Sequence, residues 1–156
     1  MDKKLSQVIF KPIGIVSNEV RDKPGADFDW WKIVSRIIID QSLSDALDSL
    51  DEYSHIIVIY WLHKSRVEKA HLKVHPRGDK SRPLVGLFAS RSPHRPNPVG
   101  EKTARLLKRQ GNILWVEGLD AIDGTPVIDI KPFTPGYDSP EDARIPPWSH
   151  RQHRDC

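Results

Sequence analysis

The chain has 156 residues, enough for one domain with a modest core and too few for two. Apolar residues make up 38% and charged residues 29%, and no apolar run approaches the roughly 18 residues needed to cross a bilayer, so a soluble, cytoplasmic protein is expected. The net charge of +3 conceals an asymmetry: thirteen Lys/Arg against three Asp/Glu fall between Trp61 and Arg109, leaving eleven against eighteen elsewhere.

MDKKLSQVIF has no long apolar h-region, so no secretory signal is expected. Val8 to Val16 (VIFKPIGIV) is β-rich but broken by Pro12, which suits an edge strand or a bend. Asn18 to Trp31 is polar, contains a Pro-Gly turn and reads as a loop. Ser35 to Asp40 predicts a strand. Ser42 with Asp45 makes a capping-box pattern ahead of Leu43, Ala46, Leu47 and Leu50 at helical spacing, so a short helix follows. His55 to His63 (HIIVIYWLH) is a continuous β-branched and aromatic run that fits a strand buried on both faces. The basic excursion Lys64 to Pro83 has room for a strand near His71 to Val74. Leu84 to Ser90 (LVGLFAS) reads as a central strand with Leu87 and Phe88 in the core.

Thr103 to Gln110 has helical propensity, but the Gly111–Asn112 turn joins it to a clear strand and favours a hairpin. Strands Ile113 to Leu119 and Pro126 to Ile130 flank Asp123–Gly124, a strong hairpin signal. The tail from Phe133 holds four prolines and no periodicity. Residues 1–138 are therefore expected to form the domain and 139–156 an arm, with Trp148 as its docking contact. Six or seven short strands and one short helix predict a mainly β fold, a small β-barrel or sandwich.

Neither a GxGxxG nor a Walker phosphate motif is present. His71 and His75 have the i, i+4 spacing of a helical zinc pair, but Pro76 and the strand-like residues between them oppose a helix, and the lone Cys156 builds no cluster, so no metal is expected. His63 ends the apolar strand, where a ligand contact and a plain structural histidine both fit. Asp123 sits at a turn position that aspartate favours for conformational reasons alone, and a functional role stands equally open. In SRSPHRPNPVG the prolines fix φ and remove backbone donors, so Arg91 and Arg95 ride on a stiff segment at an edge or over a cavity. An anion site and an inert rigid loop both satisfy that pattern. The basic middle third suits a polyanion.

Four strings occur in order: FKPIGIVSN, YSHIIVIYWLH, GLFASRSPHRPNPVG and GLDAIDGTPVIDIKP. Together they resemble the TrmO/TsaA-like family, S-adenosylmethionine-dependent methyltransferases acting on N6-threonylcarbamoyladenosine at position 37, 3′ of the anticodon in tRNA. The resemblance implies a compact TsaA-like β-barrel, S-adenosyl-L-methionine as cofactor, a homodimer, and the tRNA anticodon loop as partner. It implies cofactor contacts at Pro24, Gly25, Ala26, His63, Lys64, Arg91, Lys102, Asp123, Gly124, Thr125 and Pro126. Asp123 and His63 are the candidates for taking up the N6 proton. Within the basic band, Arg77, Lys80, Arg82, His94, Arg95 and Asn97 are the candidate RNA contacts. The competing readings are a non-catalytic barrel that binds single-stranded RNA and a metal-assisted hydrolase.

Overall fold

Burial alternates along the strands, and antiparallel pairing closes them into one wall. The computed structural model describes residues 6–65, 68–69 and 71–149. The first five residues, and residues 150–156 of the expected arm with Cys156, lie outside the described residues. Among the described residues the strands are β1 (Gly14–Ser17), β2 (Val34–Ile39), β3 (His55–Trp61), β4 (Lys73–Val74), β5 (Val85–Gly86), β6 (Val99–Gln110), β7 (Ile113–Glu117) and β8 (Pro126–Pro132). Six of them form a closed barrel in the order β1-β2-β7-β6-β3-β8, and β4 pairs with β5 as a separate ribbon. Closure rests on a short seam, Gly14 opposite Val127 and Ile15 opposite Pro126. No helix among the described residues is long and apolar enough to cross a membrane.

The lumen is filled by Val16, Ile37, Ile39, Ile56, Val58, Tyr60, Ala104, Leu106, Leu114, Val116 and Val127, with Leu119 and Ala121 packed among them. Each such aliphatic side chain contributes about 1.5–3 kcal/mol through burial. Of the barrel and the sandwich that the strand count left open, the barrel implied by the family resemblance is present, and β6, which contains the stretch of ambiguous propensity, is its longest strand. Every barrel neighbour is antiparallel, so connections alternate between the two ends. The β1–β2, β3–β6 and β7–β8 connections all cross one end, called the mouth below.

Four local expectations change. β3 is buried on one face only: Ile56, Val58 and Tyr60 point into the lumen, while His55, Ile57, Ile59 and Trp61 are half-buried. A closed barrel gives each strand a single interior face. The Asp123–Gly124 turn does not make a hairpin, because β7 pairs with β2 and β6 while β8 pairs with β3 and β1. The turn instead carries the chain across the mouth. Its Asp123 N–H donates to the Val20 carbonyl and its Gly124 N–H to the Val16 carbonyl. LVGLFAS contributes only the β5 pair and a 3-10 turn, Leu87–Ala89; Leu87 is buried but Phe88 is 79% exposed. The expected helix is a 3-10 segment, Gln41–Leu47, capped by Asp40 rather than Ser42. Asp40 Oδ1 accepts from both the N–H and the hydroxyl of Ser42, at 2.9 and 2.7 Å.

One glycine is dictated by packing. Gly100 on β6 is the register partner of Tyr60 on β3, and a Cβ built there would overlap the Tyr60 ring. Gly100→Ala is expected to destabilise the fold by about 1–3 kcal/mol in urea denaturation. Tyr60→Leu should be less costly in that background than in the wild type, and additive losses would show that the ring and the glycine are independent.

Candidate functional site

At the mouth, strand ends and connections enclose a cleft of about 310 Å³ lined by Trp31, Arg91, Glu101, Lys102, Thr103 and Asp120. A cleft of that size and mixed lining suits a small ligand. The inner wall begins in the core. Tyr60, 3% exposed, extends its phenol to the mouth and donates to Asp120 Oδ1 at 2.5 Å. Burial first, then the Asp120 carboxylate, push the phenol well above its ordinary pKa, so it remains a hydrogen-bond donor at any working pH. Asp120, on the connection that follows β7, is thereby held by one oxygen.

The opposite wall is aromatic. Trp31 follows a 3-10 N-cap in which Asp29 accepts from the Trp31 N–H, and it is 59% exposed. Its ring covers Gly118, whose φ of 82° and missing Cβ allow the close approach. The Lys102 ammonium lies 4.4 Å from the Trp31 ring centroid, so the indole face already holds a cation. Arg91 leans across the rim, and its Nη2 donates to the Glu101 carbonyl at 2.9 Å and to Glu101 Oε2 at 3.1 Å.

The residues implicated from sequence as cofactor or RNA contacts lie on the three connections that cross the mouth or near the starts of the strands that follow them. Arg91 and Lys102 line the cleft itself; the others do not. Gly25 and Ala26 belong to a turn closed by the Phe28 N–H on the Gly25 carbonyl, and Pro24 directly precedes it. Lys64 joins that connection to its neighbour, donating to the Arg21 carbonyl and to Asp22 Oδ1, both at 2.7 Å. The bond lowers the Asp22 carboxyl below the usual carboxylate range. His63 is half-buried, and its Nδ1 has no hydrogen-bond partner among the described residues. Burial, then the adjacent Lys64 charge, hold its imidazole below the ordinary value, so it is neutral at pH 7.

Asp123 has a visible structural duty, since its Oδ1 accepts from the Asn18 N–H at 3.1 Å. The Asn18 amide in turn donates to Ser35 Oγ and the Ala121 carbonyl. Thr125 is buried behind the same turn at 1% exposure, with Gly124 at φ 79° and Pro126 starting β8. In the basic band, Arg82 donates to the Trp148 carbonyl at 2.8 Å and pairs with Asp79, which places Trp148 against its own chain. Arg95 donates to the Ser90 and Ser92 carbonyls and lies 5.7 Å from the Phe88 ring centroid, fastening its own loop. Arg77, Lys80, His94 and Asn97 are exposed. Sequence reasoning did not select Trp31, Tyr60, Glu101, Thr103 or Asp120. An exposed tryptophan in a polar loop and an aspartate directly after a strand were the signals available for the first and last of these.

A family profile described as the tRNA-methyltransferase O N-terminal domain matches residues 23–139. The chain belongs to this family. Its relatives include a probable S-adenosyl-L-methionine-binding protein of Pyrococcus abyssi, 36% identical over 141 residues, covering 88% of this chain and 74% of the relative. A tRNA (adenine(37)-N6)-methyltransferase of Mus musculus is 40% identical over 111 residues, covering 69% of this chain and 24% of the mouse protein. A crystal structure of TrmO from Pseudomonas aeruginosa superposes with a TM-score of 0.73 at 29% identity, over 90% of this chain. The chain spans 62% of the length of that TrmO structure. Among the described residues, no group of three His, Cys, Asp or Glu side chains is placed to hold a metal ion.

The Asp123 clamp leads to a stability prediction. Asp123→Ala should cost about 1.5–3 kcal/mol in urea denaturation, as loss of a hydrogen bond to a charged group does. Unchanged stability together with lost ligand binding would instead put Asp123 in the ligand site.

Proposed function

We propose that the chain binds S-adenosyl-L-methionine at the barrel mouth and methylates the N6 nitrogen of the adenosine at position 37 of tRNA, in its N6-threonylcarbamoyl form. The observation that carries this reading is the convergence of Trp31, Arg91, Lys102 and Asp120 in one cleft, in a chain of the TrmO family. The relatives' names support the cofactor and the tRNA adenine, and the resemblance of the motifs supports the threonylcarbamoyl group.

The residues present fit the cofactor. The Trp31 face accepts a cation, as the Lys102 ammonium on it demonstrates, and so suits a sulfonium or the flat adenine. Arg91 and Lys102 offer charge for an amino-acid carboxylate. Asp120 and Glu101 offer acceptors for an ammonium or ribose hydroxyls, and the unpartnered His63 Nδ1 lies on the connection following β3. When bound, S-adenosyl-L-methionine supplies a methyl group already activated by its positively charged sulfur.

The protein's own contribution is alignment, exclusion of water and removal of one proton. Asp120, anchored through Oδ1 by Tyr60, has Oδ2 to take the N6 proton. The neutral His63 is the second candidate acceptor. Asp123 acts from behind, holding the connection that carries Asp120. The same reading makes the functional unit a cytoplasmic homodimer, as the family resemblance implies.

Two variants test the assignment. Arg91→Ala is expected to weaken S-adenosyl-L-methionine binding by about ten- to a hundred-fold in calorimetry. Asp120→Asn is expected to lower kcat for methyl transfer to threonylcarbamoylated tRNA by about 10²–10⁴ while leaving cofactor affinity within a few-fold. A wild-type protein that does not bind the cofactor would sink the methyltransferase reading. Loss of cofactor affinity in Asp120→Asn would make Asp120 a binding residue rather than a base.

A further inference from the structure

We infer that the outer wall formed by β2, β7 and β6 is a track along which the RNA strand approaches the cleft, with Arg36, Arg105 and Lys108 meeting its phosphates. This rests on the tRNA reading above and adds a surface that sequence reasoning did not select. Register alone builds its centre: Ser17, Arg36, Trp115 and Lys108 lie abreast on β1, β2, β7 and β6. The Arg36 guanidinium carbon is 5.8 Å and the Lys108 ammonium 4.7 Å from the Trp115 ring centroid. Arg36 Nη2 also donates to Ser17 Oγ at 3.1 Å. Two exposed cations are thus stiffened by one indole, and less freedom is lost when they grip an anion.

Among the described residues, no ion pair engages the cations of this wall. Lys32, Lys64, Arg82, Arg91, Arg109 and Lys131 each have a carboxylate within 4 Å, whereas Arg36, Arg105 and Lys108 have none among the described residues. Glu117 stands opposite Arg105 in register but forms no ion pair. The wall is also continuous with the candidate site. Thr103, which lines the cleft, precedes Arg105 by two residues on the same face of β6, and the braced row follows further along the strand. A row of unneutralised cations leading from a cleft that accepts a base fits a phosphate backbone. Arg82 and Arg95, in contrast, already bond backbone carbonyls of their own chain.

The test is tRNA affinity by fluorescence anisotropy across a salt series, beside calorimetry with S-adenosyl-L-methionine. The variants are Arg36→Gln with Lys108→Gln, and separately Arg105→Gln, which leaves the Trp115 stack intact. The double variant should bind tRNA about tenfold more weakly near 150 mM salt, with a log–log salt slope shallower by about 1.4–1.8. Arg105→Gln should reduce the slope by about 0.7–0.9, and Lys108→Arg should retain it. Cofactor affinity should be unchanged in all of them. Wild-type slopes in both Gln variants would overturn the track and leave the stack as a brace for stability alone. Tight tRNA binding without cofactor binding in the wild type would sink the methyltransferase reading but support the track if the variants lose affinity. A wild type that binds no tRNA would sink both.

Discussion

A closed barrel of six strands encloses side chains and leaves no room for a ligand. Its interior is taken by Val16, Ile37, Ile56, Val58, Leu114, Val116 and their neighbours, all nearly inaccessible to solvent. Chemistry must therefore be done at an end or on the outer wall. Antiparallel pairing throughout the barrel decides what each end receives. One end gets the two-residue turn Gly111–Asn112 between β6 and β7 and the β2–β3 connection with its 3-10 segments Gln41–Leu47 and Leu50–Glu52. The mouth gets the β1–β2, β3–β6 and β7–β8 connections, and with them Trp31, Arg91 and Asp120. Strand order thus gathers these three connections at one end, and the side chains they carry make that end the candidate site.

Tyr60 is where this constraint meets the site. It is a core residue by burial and a cleft residue through its hydroxyl, which reaches Asp120 at 2.5 Å. Burying a phenol without a partner would be costly, so packing and hydrogen bonding demand each other here. Gly100 is part of the same arrangement, because any side chain there would displace the ring. The carboxylate at the mouth is accordingly positioned by the rigid interior, whereas Trp31 and Arg91 come from connections outside it. Such a division gives a fixed wall against which an adaptable one can close on a ligand.

Much of this architecture is legible in the amino-acid order. The β-branched run of β3 identifies a strand, and the Gly111–Asn112 turn identifies β6 and β7 as a hairpin against the helical propensity of Thr103 to Gln110. Asp123–Gly124 misleads because a local turn signal says nothing about which strands it joins; the flanking strands pair elsewhere, across the barrel. LVGLFAS misleads for a related reason. Its apolar composition suits a central strand, yet it pairs only with β4 and leaves Phe88 under the Arg95 guanidinium. Asp120 and Tyr60 are illegible individually, since nothing in sixty residues of separation announces a hydrogen bond.

Charge shows the limit of composition most clearly. The excess of Lys and Arg between Trp61 and Arg109 is real, but a count does not say how many of those cations are spoken for. Arg82 is engaged by Asp79 and the Trp148 carbonyl, Arg91 by Glu101, Arg95 by two carbonyls, and Arg109 by Asp48. The uncommitted pair braced on Trp115 includes Arg36, which lies outside the basic stretch and joins Lys108 only through the register of β2, β7 and β6. Electrostatic attraction for a polyanion depends on cations whose fields are not already cancelled at contact distance. Pairing geometry, more than local abundance of basic residues, therefore determines which face of this barrel presents uncommitted charge to a polyanion.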